Sequence, residues 1–225
     1  MRYNIFYQIH KGLRAMLYET GIELQRADFN DEEEAVEMLT RIESVVNLFV
    51  KHAHHEDTLV FPAVEKYEPS VVDAFEQEHV KDHELGSKLR TLIAMFDSVE
   101  NDEEKIQLGS AIRKGFVEFL SFNLEHMAKE EDIINNLLWR YYTDQEIKAI
   151  EYDVISGQTP ETRAEASKWM LRGLSNQEIT RWLKIVEKNA PEVVFNNLFS
   201  MAEKELPNVR FRQVLEGLTE GAMLA

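Results

Sequence analysis

The sequence predicts an all-α protein, an up-down-up-down four-helix bundle with an appended C-terminal helical extension. Three observations lead there. Apolar residues recur at steps of three and four along most of the chain. Nine glycines and five prolines in 225 residues are too few for the many tight turns of a strand-rich fold. Short connections join the long periodic segments, which favours antiparallel neighbours.

The elements follow in order. A first helix is expected over residues 3–27, with Phe6, His10, Leu13 and Leu17 on one face. Asn30 with Glu33 gives a capping-box signal that opens a second helix, reaching Tyr67. Pro62 lacks an amide donor, so a kink or early end is expected near Thr58–Pro62. Pro69 and Ser70 start a third helix, ending near Asp97, and Asn101 with Glu104 opens a fourth, ending near Tyr142. The expected division is therefore a bundle over residues 1–142 and an extension over 143–225. In the extension Asp144, Ser175 with Glu178, and Pro191 mark helix starts, and Gly157 and Gly173 mark stops. Trp169, Trp182, Phe195, Leu198 and Phe211 give it apolar faces of its own, but it holds no histidine, so it reads as a cap or a surface for a protein partner.

Composition narrows the function. The chain has 41 acidic and 25 basic residues, a formal charge of −16. Nucleic acid and anionic membrane surfaces need clustered Lys and Arg, so neither is an expected partner, whereas metal cations are attracted. With no cysteine, thiol catalysis, iron–sulfur clusters and Cys-ligated zinc are excluded. No apolar run approaches the roughly 18 residues of a membrane span. The segment MRYNIFYQIHKGLR lacks the features of a signal peptide, so a cytoplasmic location is the default expectation.

The chemistry lies in the histidines. Of seven, five follow the apolar stripes of the long helices. The second helix presents Val45, Phe49, His52, Glu56, Val60 and Ala63. The third presents Val72, Phe75, His79, His83, Gly86 and Leu89, and the fourth Phe116, Phe119, Asn123, His126, Glu130, Ile133 and Leu137. Residues four apart are offset by only about 40° around a helix, so His52/Glu56, His79/His83 and His126/Glu130 each aim two donors at one spot. His10 adds one from the first helix. His54 falls off the ligand face; His55 lies closer to it but adds no fourth pair, so it reads as a residue behind the ligands or at the surface. Five imidazoles and two carboxylates inside an apolar bundle are costly unless cations satisfy them. Imidazole with carboxylate suits iron, manganese or zinc.

The spacing also echoes internally. His10 to His52 and His83 to His126 are nearly equal intervals, and each of His52 and His126 is followed four residues later by glutamate. Such quasi-twofold order suits a two-metal centre bridged by both carboxylates, and it favours Glu130 over Glu131 and Asp132. Ferritin-like sites need more Glu-x-x-His pairs than the one here, and the His-Glu-x-x-His of zinc proteases is absent.

Together His10, HAHHEDTLVFPAVE (His52 to Glu65), HVKDH (His79 to His83) and HMAKEED (His126 to Asp132) resemble the hemerythrin-like, or HHE cation-binding, family over residues 5–140. The resemblance implies a hemerythrin-like bundle with two non-haem iron ions, often oxo- or hydroxo-bridged, with zinc or manganese as alternatives. By position, His79, His83 and His126 would hold one ion and His10 and His52 the other, with Glu56 and Glu130 bridging and Glu131 as the alternative to Glu130. The poorer second position would accept O2, NO or peroxide. Three function classes follow. The first is a di-iron protein that binds oxygen, nitric oxide or a similar small ligand, or senses or stores iron. The alternative is a di-iron enzyme acting in peroxide or nitric oxide reduction or in iron–sulfur cluster repair. The third is a metal-locked bundle whose extension binds a partner. The sequence leaves open whether the protein is an enzyme.

Overall fold

A computed structural model describes residues 2–96 and 98–220. These residues are all-helical, with no strand among them. Asp97, the expected end of the third helix, lies outside the described residues.

Helix α1 spans Tyr7–Arg26. Its C-terminal carbonyls are closed from outside, since Arg113 donates to Leu24 O at 3.1 Å and to Ala27 O at 2.5 Å. Helix α2, Glu32–His55, is capped by Asp31, whose side chain accepts from the Glu34 amide. The cap therefore lies one residue beyond Asn30 and takes the Glu34 amide in place of the expected Glu33 amide. The chain does not end or break at Pro62. It widens into a π-turn over Glu56–Val60, in which the Phe61 amide bonds to Glu56 O, and resumes as α3, Phe61–Glu65. Pro62 explains the widening: it has no amide to donate, and its ring would press on the preceding turn of a regular helix.

Helix α4 spans Pro69–Phe96. Its buried residues include a stripe of Val72, Phe75, His79, Asp82, Gly86, Leu89, Ile93 and Phe96, stepping three, four, three, four, with Leu85 buried beside it. Helix α5, Asp102–Lys129, is capped by Asn101, which accepts from the Glu103 and Glu104 amides. A second π-turn, Glu130–Ile134, continues it into α6, Asn135–Tyr141, with the Asn135 amide bonded to Glu130 O. No proline is involved here. Instead the Asn136 side-chain amide donates to Asp132 O at 2.5 Å. The widened turn rotates the downstream register, so Ile134 and Leu138 are buried where a regular helix would turn Ile133 and Leu137 inward.

Helix α7, Asp144–Gly157, opens with a capping box formed by Thr143 and Glu146. Then come α8, Pro160–Gly173; α9, Asn176–Asn189; α10, Glu192–Glu205; and α11, Asn208–Glu220. The expected Ser175/Glu178 capping box is present at α9, and Gly157 and Gly173 are the last residues of their helices.

By their packing the described residues form two compact units, residues 2–7 with 16–158, and residues 8–15 with 159–220. In the first, one apolar cluster joins Ile5 and Phe6 to Val60, Phe61 and Val64, Phe75, Ile134 and Leu138, and Ile147 of α7. Helix α7 thus groups with the long helices rather than with the segments after it. The second unit has a core of its own, built on Leu171, Leu174, Ile179, Leu183, Leu198 and Ala202. Within it residues 8–15 cross α8 closely: a Cβ on Gly12 would come within 2.8 Å of Met170 N, and one on Gly173 would overlap the Lys11 carbonyl. Lys11 also pairs with Glu178 at 2.7 Å. Residues 159–225 carry nine acidic and nine basic side chains, so the entire net charge of −16 belongs to the first 158 residues. Among the described residues no helix is long and apolar enough to cross a membrane.

Candidate metal centre

Four separate helical segments deliver donors to one place. His10, His52, Glu56 and Glu130 each bring a ligand atom within 4.8 Å of the others, and so do Glu56, His79, His126 and Glu130. The two groups share Glu56 and Glu130. Both glutamates open a π-turn four residues after a histidine. The stepping of α2 and α5 aims each His/Glu pair inward, and the widened turn that follows returns the chain to its apolar stripe.

Glu56 faces both ways. Its Oε1 lies 3.1 Å from His52 Nε2, and its Oε2 lies 3.5 Å from His79 Nε2. Glu130 Oε1 lies 3.4 Å from His126 Nε2. Rings of His79 and His126 meet edge to face at 4.8 Å. Phe61 stacks on His79 at 5.2 Å and Phe122 on His126 at 6.0 Å, both within 9° of parallel.

Each of these two rings is also held at its far nitrogen. His79 Nδ1 donates to Asp57 at 2.6 Å and His126 Nδ1 to Glu78 at 2.8 Å. Burial by itself would lower the His79 pKa, but the hydrogen bonds to Asp57 and Glu56 and their charges outweigh it and raise it to about 10. For His126, burial is again opposed, by Glu130, Glu56 and Glu78, and the pKa rises to about 9.

His83 departs from the expectation. It is exposed and belongs to neither group. The strict three–four stepping of α4 makes Asp82, three residues after His79, the next inward position. Asp82 is buried and accepts from Asn123 Nδ2 at 2.6 Å, and burial raises its pKa. The expected contrast of three histidines against two is therefore absent, and two histidines stand on each side of the shared glutamates. Glu131 is half-buried and outside both groups, as is His55, while His54 is exposed. Asp57 and Glu78 were missed by the helical-face reading, because they act across helices. A strict alternation of steps would have found Asp82.

These residues suit metal ions. Two donors bonded at about 2.1 Å to one ion stand about 3.0 Å apart at a right angle and about 3.4 Å apart at a tetrahedral one. The observed 3.1–3.5 Å separations match such edges. Imidazole and carboxylate are the donor types of iron, manganese and zinc, and no thiolate is present to favour a softer metal.

A helical protein with buried imidazoles converging on two shared carboxylates belongs to the class of cation-binding helical proteins. The profile of the Hemerythrin HHE cation binding domain matches residues 1–138, and the chain is a member of that family. It is also similar to F-box/LRR-repeat protein 5 of Salmo salar, 27% identical over 93 residues. That match covers 40% of this chain and 13% of the relative, so the chain spans only a small part of that protein's length.

Proposed function

We propose that this protein holds a dinuclear, non-haem iron centre within an up-down-up-down four-helix bundle, where it binds O2, NO or a similar small ligand, or senses or stores iron. One ion would be held by His79 and His126, the other by His10 and His52, with Glu56 and Glu130 bridging. Zinc or manganese would suit the same donors. The supporting observation is the two-sided placement of Glu56, whose two oxygens face histidines of different groups. Bound iron would supply open coordination positions and redox chemistry. The chain's own residues supply the anionic bridges, oriented rings and an apolar surround.

Burial supports a small ligand. His10 and Glu130 are 0% exposed, Glu56 2%, and His79 and His126 4%, and of the proposed donors only His52 is half-buried, which leaves room for a small ligand rather than a bulky one. The helices after α7 are proposed as a protein-partner surface, supported by their separate core.

The test is elemental analysis of freshly purified protein, with an absorption spectrum of the reduced form before and after exposure to air. Two irons per chain and a spectral change on aeration are expected. Protein that neither contains nor takes up a pair of metal ions sinks the proposal.

A further inference from the structure

His79 and His126 show a common construction. Each turns Nε2 toward a shared glutamate and gives Nδ1 to a second carboxylate, Asp57 or Glu78. Neither Asp57 nor Glu78 belongs to the converging groups. Their places in the chain interlock. Asp57 directly follows Glu56, so consecutive residues of one π-turn meet opposite nitrogens of the same ring. Glu78 directly precedes His79, so α4 offers one imidazole to the centre and with the preceding residue holds an imidazole of α5. Both oxygens of Glu78 are engaged, since Lys129 donates to the second at 3.0 Å while also pairing with Glu125 at 2.9 Å.

An ionised carboxylate only accepts hydrogen bonds, so it keeps the proton on Nδ1, and the proton given up on ligation is the one on Nε2. The parallel rings of Phe61 and Phe122 restrict the same two imidazoles in plane. A ring held at Nδ1 and in plane needs only to release its Nε2 proton to accept an ion, and a carboxylate behind it raises its basicity as a ligand.

We propose that Asp57 and Glu78 are positioning residues that set the metal affinity of the His79/His126 position by holding both rings through Nδ1; the proposal rests on the metal-binding reading above.

The test uses the full chain, metal-free, titrated with Co2+ by calorimetry while the ligand-field absorption is followed. The wild type is expected to take up two Co2+. Asp57→Ala and Glu78→Ala should each weaken one of the two by roughly 10–100-fold, with loss of that ion's bands. Asp57→Asn and Glu78→Gln should recover part of the affinity, because an amide oxygen still accepts from Nδ1, and they serve in place of the alanine variants should those fail to fold. His10→Ala should remove the other component of the spectrum. Variants that keep both affinities within about twofold would show the carboxylates to be ordinary charge partners and overturn the proposal. Equal weakening at both positions, or loss of the same bands as in His10→Ala, would also overturn it. A wild type that takes up no Co2+ would remove the metal-binding reading itself, and the positioning role with it.

Discussion

Glu56 and Glu130 occupy equivalent places: each follows a histidine by four residues, and each begins a five-residue π-turn whose first carbonyl accepts from the amide five residues on. Widened turns of this kind are uncommon in helices and gather at functional sites. Here they bring two acidic side chains to one buried locus while the apolar stripes continue beyond them.

Glu130 and Glu131 should respond differently to removal. Glu130 is buried and common to both donor groups, whereas Glu131 stands outside them. Glu130→Ala is expected to deplete both ions and Glu131→Ala neither, as measured by metal content per folded chain. The reverse pattern would reassign the bridge.

The metal-free protein should lose stability in alkali. A histidine whose pKa is raised on folding contributes stability that is complete below its unfolded value of 6.5 and disappears as pH climbs through the folded one. With His79 at about 10 and His126 at about 9, the loss should begin above about pH 6.5 and be complete near pH 10. The urea midpoint of metal-free protein should therefore drop from pH 7 to pH 10, and drop less in His79→Gln/His126→Gln. Affinity for the metal should rise over the same interval, because ligation needs the rings deprotonated. Identical pH profiles for the wild type and the double variant would contradict the assignment.

Ile147 ties α7 to the long helices. It is fully buried among Val60, Phe61, Ile134 and Leu138. Ile147→Ala should cost about 2–5 kcal/mol in urea unfolding, through lost transfer energy and the cavity left behind. A cost under about 0.5 kcal/mol would mean that α7 is not held there.

Gly157 and Gly173 both end helices, yet alanine should act on them in opposite senses. Nothing lies within 4 Å of a Cβ at Gly157, so Gly157→Ala should raise the melting temperature slightly, by up to about 1 kcal/mol of stability. A Cβ at Gly173 would collide with backbone at Lys11, and Gly173→Ala should lower it. Equal responses would exclude the close crossing.

Much of this arrangement is legible in the residues. His52/Glu56 and His126/Glu130 follow from four-residue spacing, which a helix converts directly into a common direction. His79 follows from its apolar stripe. The internal echo, however, pairs His10 with His83, and α4 does not honour it: three–four stepping turns His83 outward and Asp82 inward. Regular helical projection also cannot foresee a π-turn, which depends on how backbone donors are satisfied around Pro62 and Asn136. For that reason Ile133 and Leu137 were expected inward, and Ile134 and Leu138 took their places. Asp57 and Glu78 are hidden for another reason, because a hydrogen bond between helices leaves no periodic mark in either one.

The uneven distribution of charge has a kinetic consequence. Since residues 159–225 are balanced, the negative potential emanates from the portion of the chain that supplies Glu56, Asp57, Glu78 and Glu130. A dissolved dication approaching that portion is drawn inward before any ligand touches it, and its capture rate should fall steeply as added salt shortens the Debye length from about 30 Å at 0.01 M to about 8 Å at 0.15 M.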